Sequence, residues 1–481
     1  MQQTVHLHYI YLILISSFLF SCTSTKNEEK DYAYFGGEIV NPNTNYIVML
    51  KGNNYNDTIR LDKNNRFLYK IENLEEGVYT FKHNPENQVV LLEKGDSILI
   101  RLNTIEFDES LVFTGKGSRK NNFLIDMYLQ NEIERKKLTR ANFMSPSSYF
   151  KKNQDSLLNN KLEAYDKLIQ KNELSDLAKK ITRSTIILGY YGRHEIFYNS
   201  RYKLGGMDLI SELPPSFFSY RNKINFNDND LERLYSYHRF LNYYFANATI
   251  ANYGKELPQY DDQVGNTIYR LQMIDSLINH SFIKNSLLRR TTTRFLLKSE
   301  NNKESNQVLD QYLSVSTNKK SQRELRKLSK SISNLRPNKL IPDQDLITSK
   351  GETVKLSSLF NKPITALYFW SMESKDHYVR AHKKTAYLNT LYPDIDFIAI
   401  NTDDDQTRNW LKTIQMHRYK TNYEYGFKHP KCSSEELVIH YRNKVILVNN
   451  EGRIINPNAD LFAGIFERQL MQYSQLARLE N

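Results

Sequence analysis

Val354–Asp404 reads VKLSSLFNKPITALYFWSMESKDHYVRAHKKTAYLNTLYPDIDFIAINTDD, and Asn443–Ile455 reads NKVILVNNEGRII. Ile364–Trp370 is a nearly continuous apolar run, the pattern of a central strand buried on both faces. Asp376–Tyr392 has helical spacing and is closed by Pro393. Ile395–Ile400 predicts a second strand, and Asp404–Met416 a helix around Trp410. Lys444–Val448 predicts a third strand. Asn450-Glu451-Gly452 then turns the chain into its return, Arg453-Ile454-Ile455. Upstream, Asp345–Leu356 reads as a hairpin around Lys350-Gly351. Downstream, Asp460–Leu479 reads as an amphipathic helix. The order hairpin–β–α–β–α–β–β–α predicts an α/β domain over residues 340–481.

Working back from residue 340, the periodicity changes twice. Over residues 120–335 apolar residues recur at three and four, as in Phe123, Met127, Leu129 and Ile133, or Leu158, Leu162, Tyr165 and Leu168. Breaks fall at Gly205-Gly206, Pro214-Pro215, Gly254 and Pro258. This predicts a helical domain of roughly seven to nine helices. The aromatic stripe RSTIILGYYGRHEIFY (Arg183–Tyr198) is read as core. Over residues 32–119 short runs such as Tyr46–Leu50, Asp57–Leu61 and Ser97–Leu102 alternate, with Gly, Asn and Asp between them. They predict an antiparallel β-sandwich. The fold class expected is therefore multidomain α+β: β-sandwich, helical middle, C-terminal α/β domain. The 481 residues, with 12 Pro and 17 Gly, suit such globular domains and exclude collagen-like or low-complexity chains. A mean hydropathy of −0.62 excludes a multi-span membrane protein.

Residues 1–31 read as an address. Tyr9–Phe20 (YIYLILISSFLF) is too short for a spanning helix and suits the apolar core of a signal peptide. It runs into Leu19-Phe20-Ser21-Cys22, which resembles the lipobox of bacterial lipoproteins. That resemblance implies a signal peptide over residues 1–21, acylation of Cys22 and a polar tether over residues 22–31. Two or more acyl chains anchor stably, whereas one is marginal. The expected partner of Cys22 is thus the membrane. The expected location is the cell envelope, as an outer-membrane lipoprotein on the periplasmic or surface side.

Two further resemblances concern the folded segments. The hairpin DTIRLDKNNRFLYKI, then EEGVYTF, EKGDSILI and FTGKGSRKNNFL, resemble in that order the small β domain (DUF4369-like) of Bacteroidetes lipoproteins. The two stretches quoted first resemble the thioredoxin-like domains of bacterial thiol-disulfide reductases, the TlpA/ResA group. This resemblance covers about 140 residues and implies a thioredoxin-like fold. In that family a Cys-x-x-Cys motif starts the helix after the central strand. A thiolate attacks there, its pKa lowered by the helix N-terminus, and a second thiol resolves the mixed disulfide.

Carried over by position, the two cysteines fall on Ser374 and His377, and the family's cis-proline falls on Asn443. A serine hydroxyl stays protonated at neutral pH and forms no disulfide. The expectation is a domain without the family's dithiol chemistry, acting as a binding or scaffold module for an envelope protein or peptide. The alternative is a thiol-disulfide oxidoreductase (TlpA- or AhpC-like) working through Cys432 or a partner's thiol. Cys432 precedes Ser433 and Glu436, which fit a capping box. Ser374 and His377 also invite a nucleophile–base reading, against which stands a simple helix cap.

No residue is assigned a catalytic or cofactor role, and the histidines His377, His382, His417, His429 and His440 lack metal-ligand spacing. The net charge is +12, yet no nucleic-acid-binding signature accompanies it, so nucleic acid is not expected as a partner. The cluster Lys319, Lys320, Arg323, Arg326, Lys327 and Lys330 is read as a solvated helix face or a contact to an anionic surface.

Overall fold

A computed structural model describes residues 31–52, 55–253, 263–403 and 407–479. The acylation candidate Cys22 and the breaks at Gly254 and Pro258 lie outside the described residues. By compactness the chain forms two units. One holds the residues up to Tyr190 with Asp230–Tyr237, the other Tyr191–Asn229 with His238–Asn481.

The first unit begins with eight strands: β1 (Tyr32–Val40), β2 (Tyr46–Lys51), β3 (Tyr55–Arg60), β4 (Arg66–Glu72), β5 (Gly77–His83), β6 (Glu86–Leu92), β7 (Ser97–Asn103) and β8 (Val112–Lys116). They form two four-stranded sheets, ordered β4-β1-β7-β8 and β3-β2-β5-β6. Alternation sets their inward faces: β2 and β7 bury every second residue. The buried residues of both sheets make one core, in which Phe35 of β1 lies 5.5 Å from Phe81 of β5. One expectation is corrected: the pairing is not wholly antiparallel, because β1 and β7 run parallel from Tyr34↔Ser97 to Val40↔Asn103.

The FTGKGSRKNNFL stretch closes this core. A Cβ at Gly115 would sit 2.1 Å from the Ser97 carbonyl oxygen, so only glycine lets β8 approach β7. Two adjacent asparagines on the following helix then clamp two edge strands. The Asn121 amide donates to the Leu91 carbonyl of β6 (2.9 Å) and accepts from the Leu91 amide (2.7 Å). Asn122 treats Phe113 of β8 in the same way, at 2.8 and 2.9 Å. Each side chain thus does what a neighbouring strand's backbone would do.

The helices of the first unit are α1 (Phe107–Ser110), α2 (Ser118–Lys137), α3 (Arg140–Met144), α4 (Ser147–Lys171) and the first part of α5 (Asp176–Ser211). Phe123 and Met127 of α2 pack with Tyr165 of α4 and Ile186 of α5. Ile133, expected on the same apolar face, is instead 53 % exposed, because the C-terminal half of α2 leaves this cluster.

In the second unit α5 breaks where the sequence predicted, at Gly205 and Gly206, whose φ/ψ angles are not helical. The helices α6 (Tyr235–Tyr253, in this unit from His238 on), α7 (Gln263–Leu277), α8 (Ser281–Leu296), α9 (Asn302–Val315) and α10 (Lys319–Asn334) follow. The aromatic stripe is core: Tyr191 stacks on Tyr220 at 4.5 Å, and Phe197 packs on Phe217 at 5.5 Å.

The C-terminal segment is a seven-stranded sheet in the order β10-β9-β13-β12-β11-β14-β15. Its strands are β9 (Asp345–Thr348), β10 (Thr353–Lys355), β11 (Ile364–Trp370), β12 (Ile395–Asn401), β13 (Glu424–Phe427), β14 (Lys444–Asn449) and β15 (Ile454–Asp460). Every residue of β11 is buried, as its apolar run requires. β11, β12 and β13 run parallel, and β14 returns antiparallel beside β11. The helices are α11 (Lys375–Leu391), α12 (Thr407–His417), α13 (Pro430–Glu436) and α14 (Phe466–Leu479). One core holds Trp370 of β11, Ala381 and Leu388 of α11, Trp410 of α12 and Phe466 of α14. Burying the larger of these side chains stabilises by about 1.5–3 kcal/mol each.

Three boundaries are corrected. β13 and α13 interrupt the expected β–α–β–β–α run. The terminal helix starts at Phe466 rather than Asp460, because β15 extends to Asp460. And α13 starts at Pro430 with His429 as its N-cap, so Ser433 and Glu436 form no capping box; a proline at the first helical position made the start legible instead. Glu436 accepts from the Gln344 amide at 2.9 Å.

Candidate functional site

The parallel strands β11, β12 and β13 end at one edge of the sheet. The loops that follow them carry Ser371–Ser374, Asp403 and the start of α13. In open α/β sheets this is the edge where ligands bind. The loop after β11 is fixed by Asp403. That carboxylate accepts from the Ser371 hydroxyl (2.5 Å), the Met372 amide (2.8 Å) and the Asn401 side chain (2.9 Å). The Ser371 hydroxyl in turn accepts from the Glu373 amide at 3.1 Å. Ser374 is thereby presented at the first turn of α11.

Ser374 is the N-cap of α11, but its hydroxyl makes no capping bond. It accepts from the Arg442 guanidinium at 2.8 Å instead. His377, one turn on, has both ring nitrogens buried, and neither makes a hydrogen bond of good geometry among the described residues. Its ring meets Phe462 edge-on at 6.0 Å. Burial, then the positive charges of Arg442 and Arg380, hold the imidazole below its ordinary pKa. Ser374 and His377 are therefore not hydrogen-bonded to each other, and the nucleophile–base reading is corrected: the hydroxyl faces a guanidinium, which takes no proton from it.

Asn443 comes to the same place. Continuing the β11–β14 register two residues past Tyr368↔Val445 sets Asn443 beside Trp370. Its carbonyl accepts from the Leu461 amide at 2.9 Å. Ser374, Asn443 and Arg442 thus share one edge of the sheet, while Cys432 is exposed on α13, after a strand two places away. Among the described residues no group of three His, Cys, Asp or Glu side chains is arranged to hold a metal.

Lys444 holds α13 in position. Its side chain is 2 % exposed, and its amine donates to the Leu437 carbonyl (2.9 Å) and the Val438 carbonyl (3.0 Å) at the end of that helix. Val438 is a β-branched residue at φ +52°, a strained conformation that this bond helps to hold. Burial drives the Lys444 pKa down from 10.5 to about 7, and nearby His440 is lowered by burial, Lys444 and Arg289. Between these limits the unfolded chain binds a proton that the folded protein does not, so stability rises with pH. We expect unfolding free energy to increase by roughly 2 kcal/mol between pH 7 and pH 9. Lys444→Met should flatten that rise; denaturant titrations at the two pH values check it, and an unchanged slope would contradict the assignment.

Local reading missed a second feature. Glu424, in the short strand β13, is hydrogen-bonded to the His382 Nε2 at 2.9 Å, and His382 Nδ1 meets the Tyr378 carbonyl at 2.7 Å. Tyr419 stacks on His382 at 3.7 Å. A cavity of about 480 Å³ is lined by Tyr368, His382, Tyr419 and Glu424 among others. Burial raises the Glu424 pKa, and His382 offsets part of the rise. Both imidazole nitrogens are already engaged inside the protein, so the pair ties α11 to β13.

No family model matches this chain, and no curated protein sequence matches it. Solved structures do. A protein described as a thiol-disulfide oxidoreductase from Bacteroides vulgatus is 19% identical over 29% of this chain and 99% of its own, with a TM-score of 0.26. A thioredoxin-like protein from Bacteroides caccae is 12% identical over 58% of this chain and 92% of its own, with a TM-score of 0.33. The thioredoxin domain of a thiol-disulfide oxidoreductase from Bacteroides vulgatus is 22% identical over 31% of this chain and 99% of its own, with a TM-score of 0.24. The strand order β12-β11-β14-β15, with α11 between the parallel pair and α14 after the antiparallel pair, is that of a thioredoxin-like domain.

Proposed function

We propose that this protein is a cell-envelope binding or scaffold module, tethered to the membrane through an acylated Cys22. On this reading it pairs a β-sandwich and a helical segment with a thioredoxin-like domain that no longer runs dithiol exchange. The observation that carries the reading is the start of α11. There Ser374 is bonded to Arg442, His377 is turned against Phe462, and neither side chain offers sulfur. Two-electron exchange at a helix end needs an attacking thiolate and a resolving thiol. What remains is an ordered sheet edge with a hydrogen-bonded loop and an exposed guanidinium, suited to holding an envelope protein or peptide.

A second reading is an oxidoreductase acting through Cys432. The exposure of that thiol, at the same edge of the sheet, favours it. One assay separates the two. The purified protein is added to dithiothreitol-driven reduction of insulin, beside Cys432→Ser. The binding reading expects the background rate from both. Catalysis by the parent that vanishes in Cys432→Ser establishes the second reading. The tether is tested apart: Cys22→Ala should leave the membrane fraction, and retention there refutes acylation.

A further inference from the structure

Arg290 and Arg294 stand four residues apart on α8, and Lys298 follows four further, just past its end. At this spacing like charges face one another and destabilise a helix. Two cavities share these three side chains. The larger, about 1010 Å³, also takes in Lys320 and Lys327 from the basic cluster of α10. Its two carboxylates are already engaged, Glu324 by Arg289 at 3.0 Å and Glu435 by Lys327. The smaller, about 350 Å³, adds Lys203 from α5 and Arg270 from α7 to the shared three, and among the described residues no carboxylate lines it.

Arg270 is the telling member. Its Nε is buried without a hydrogen-bond partner. Burial, and then Arg294 beside it, pull its pKa down to about 10. Lys203 is likewise lowered by burial and by the charges of Arg294 and Lys298. Among the described residues none of these five cations has an ion-pair partner. A chain that keeps unpaired, partly desolvated cations together forgoes stability, and such local inconsistency marks functional sites. The rest of the lining is polar and aromatic: Tyr202, Tyr243, Asn199 and Asn242, with the buried Asn266 Oδ1 lacking a donor.

We propose that this cavity binds a sugar-sized molecule carrying two or more phosphate or sulfate ester groups. The anionic groups are taken by Arg270, Arg294 and Lys203, a hydroxyl is accepted by Asn266, and the carbon skeleton rests on the tyrosines. Guanidinium forks suit tetrahedral oxyanions because each presents paired donors. The site is independent of the fate of the dithiol positions.

The test uses the full chain in detergent, titrated calorimetrically with fructose 1,6-bisphosphate, a disaccharide bearing two sulfates, and the unsubstituted sugars. Binding of at least one anionic sugar at sub-millimolar Kd, with none of the neutral ones, is expected. Which of the two binds tells phosphate from sulfate. Arg294→Gln, at an exposed position, should weaken binding about tenfold, as loss of one charge-assisted contact does. Arg270→Gln should abolish binding yet raise the melting temperature of the unliganded protein. Lys350→Gln, in the β9–β10 turn, makes the same change of charge elsewhere and should alter nothing. Absence of binding by both anionic sugars overturns the proposal, as does binding that Arg294→Gln leaves intact or that Lys350→Gln weakens equally.

Discussion

Replacing Glu195 by alanine should cost on the order of 3–5 kcal/mol of stability, the range for removing one partner of a buried ion pair. Glu195 is fully buried on α5. Its carboxylate accepts two bonds from Arg221 (2.8 and 2.7 Å), one from the Tyr220 hydroxyl (2.8 Å) and one from the Asn247 amide (2.6 Å). Asn247 also donates to the Glu195 backbone carbonyl at 2.7 Å and accepts from Asn199 at 3.1 Å. One carboxylate therefore joins α5, the 3-10 helical segment Pro215–Lys223 and α6. Arg221 lies over the Phe218 ring at 4.4 Å, so it is packed as well as paired. Its pKa is held above the usual arginine value by Glu195, against the opposing effect of burial.

Alanine would leave this guanidinium without its counter-charge and the Tyr220 hydroxyl without its acceptor. Because the shape is retained when both charges go, Glu195→Leu combined with Arg221→Met should recover much of the loss. Denaturant unfolding of the single and double variants measures the coupling. A Glu195→Ala loss below about 1 kcal/mol, the size of an exposed pair, would mean that the network does not organise these helices.

That network also shows where sequence reading stops. Aromatic spacing located the stripe that contains Glu195 and placed it in the core, which the packing of Tyr191 and Phe197 bears out. Nothing in the spacing pointed to Arg221, because the two are 26 residues apart and meet only once α5 and Pro215–Lys223 pack. The same holds at the sheet edge. The apolar run Ile364–Trp370 announced a buried strand, since a strand covered on both faces must be apolar throughout. β13 gave no such signal: four residues that include a carboxylate and a glycine are too few to show a period, and only the pairing with β12 and β9 makes them a strand. Ser374 was legible as a helix start, but the partner of its hydroxyl comes from Arg442, a residue far along the chain that β14 brings back. The parallel pairing of β1 and β7 was hidden for the same reason: alternation tells which face is buried, not which neighbour a strand chooses.

Placing two sulfurs, as Ser374→Cys with His377→Cys, should give this chain a disulfide-exchange activity at the end of β11. The two positions are the N-cap of α11 and a residue one turn later, the spacing at which side chains of a helix meet and a disulfide closes. The first would stand where the Ser374 hydroxyl now accepts from Arg442 at 2.8 Å. A thiolate there gains the guanidinium charge and the positive end of the helix, two influences that bring thiol pKa values from about 8.5 to 7.5 or lower. At pH 7 this raises the thiolate fraction by about eightfold or more over an ordinary thiol. The pH profile of iodoacetamide alkylation of Ser374→Cys alone should show that shift. Arg442→Ala added to it should move the profile back toward the ordinary thiol. In the double variant, insulin reduction by dithiothreitol should exceed background by on the order of tenfold, because the resolving thiol releases the mixed disulfide. His377 is half-buried against Phe462, so the second sulfur would be shielded from solvent and free to act as resolver rather than as a second point of attack. A double variant whose first thiol alkylates like a surface cysteine and whose insulin rate stays at background would refute the reasoning at its base: the end of β11 would then share the strand order of a thioredoxin-like domain without the electrostatics that make such a helix end reactive.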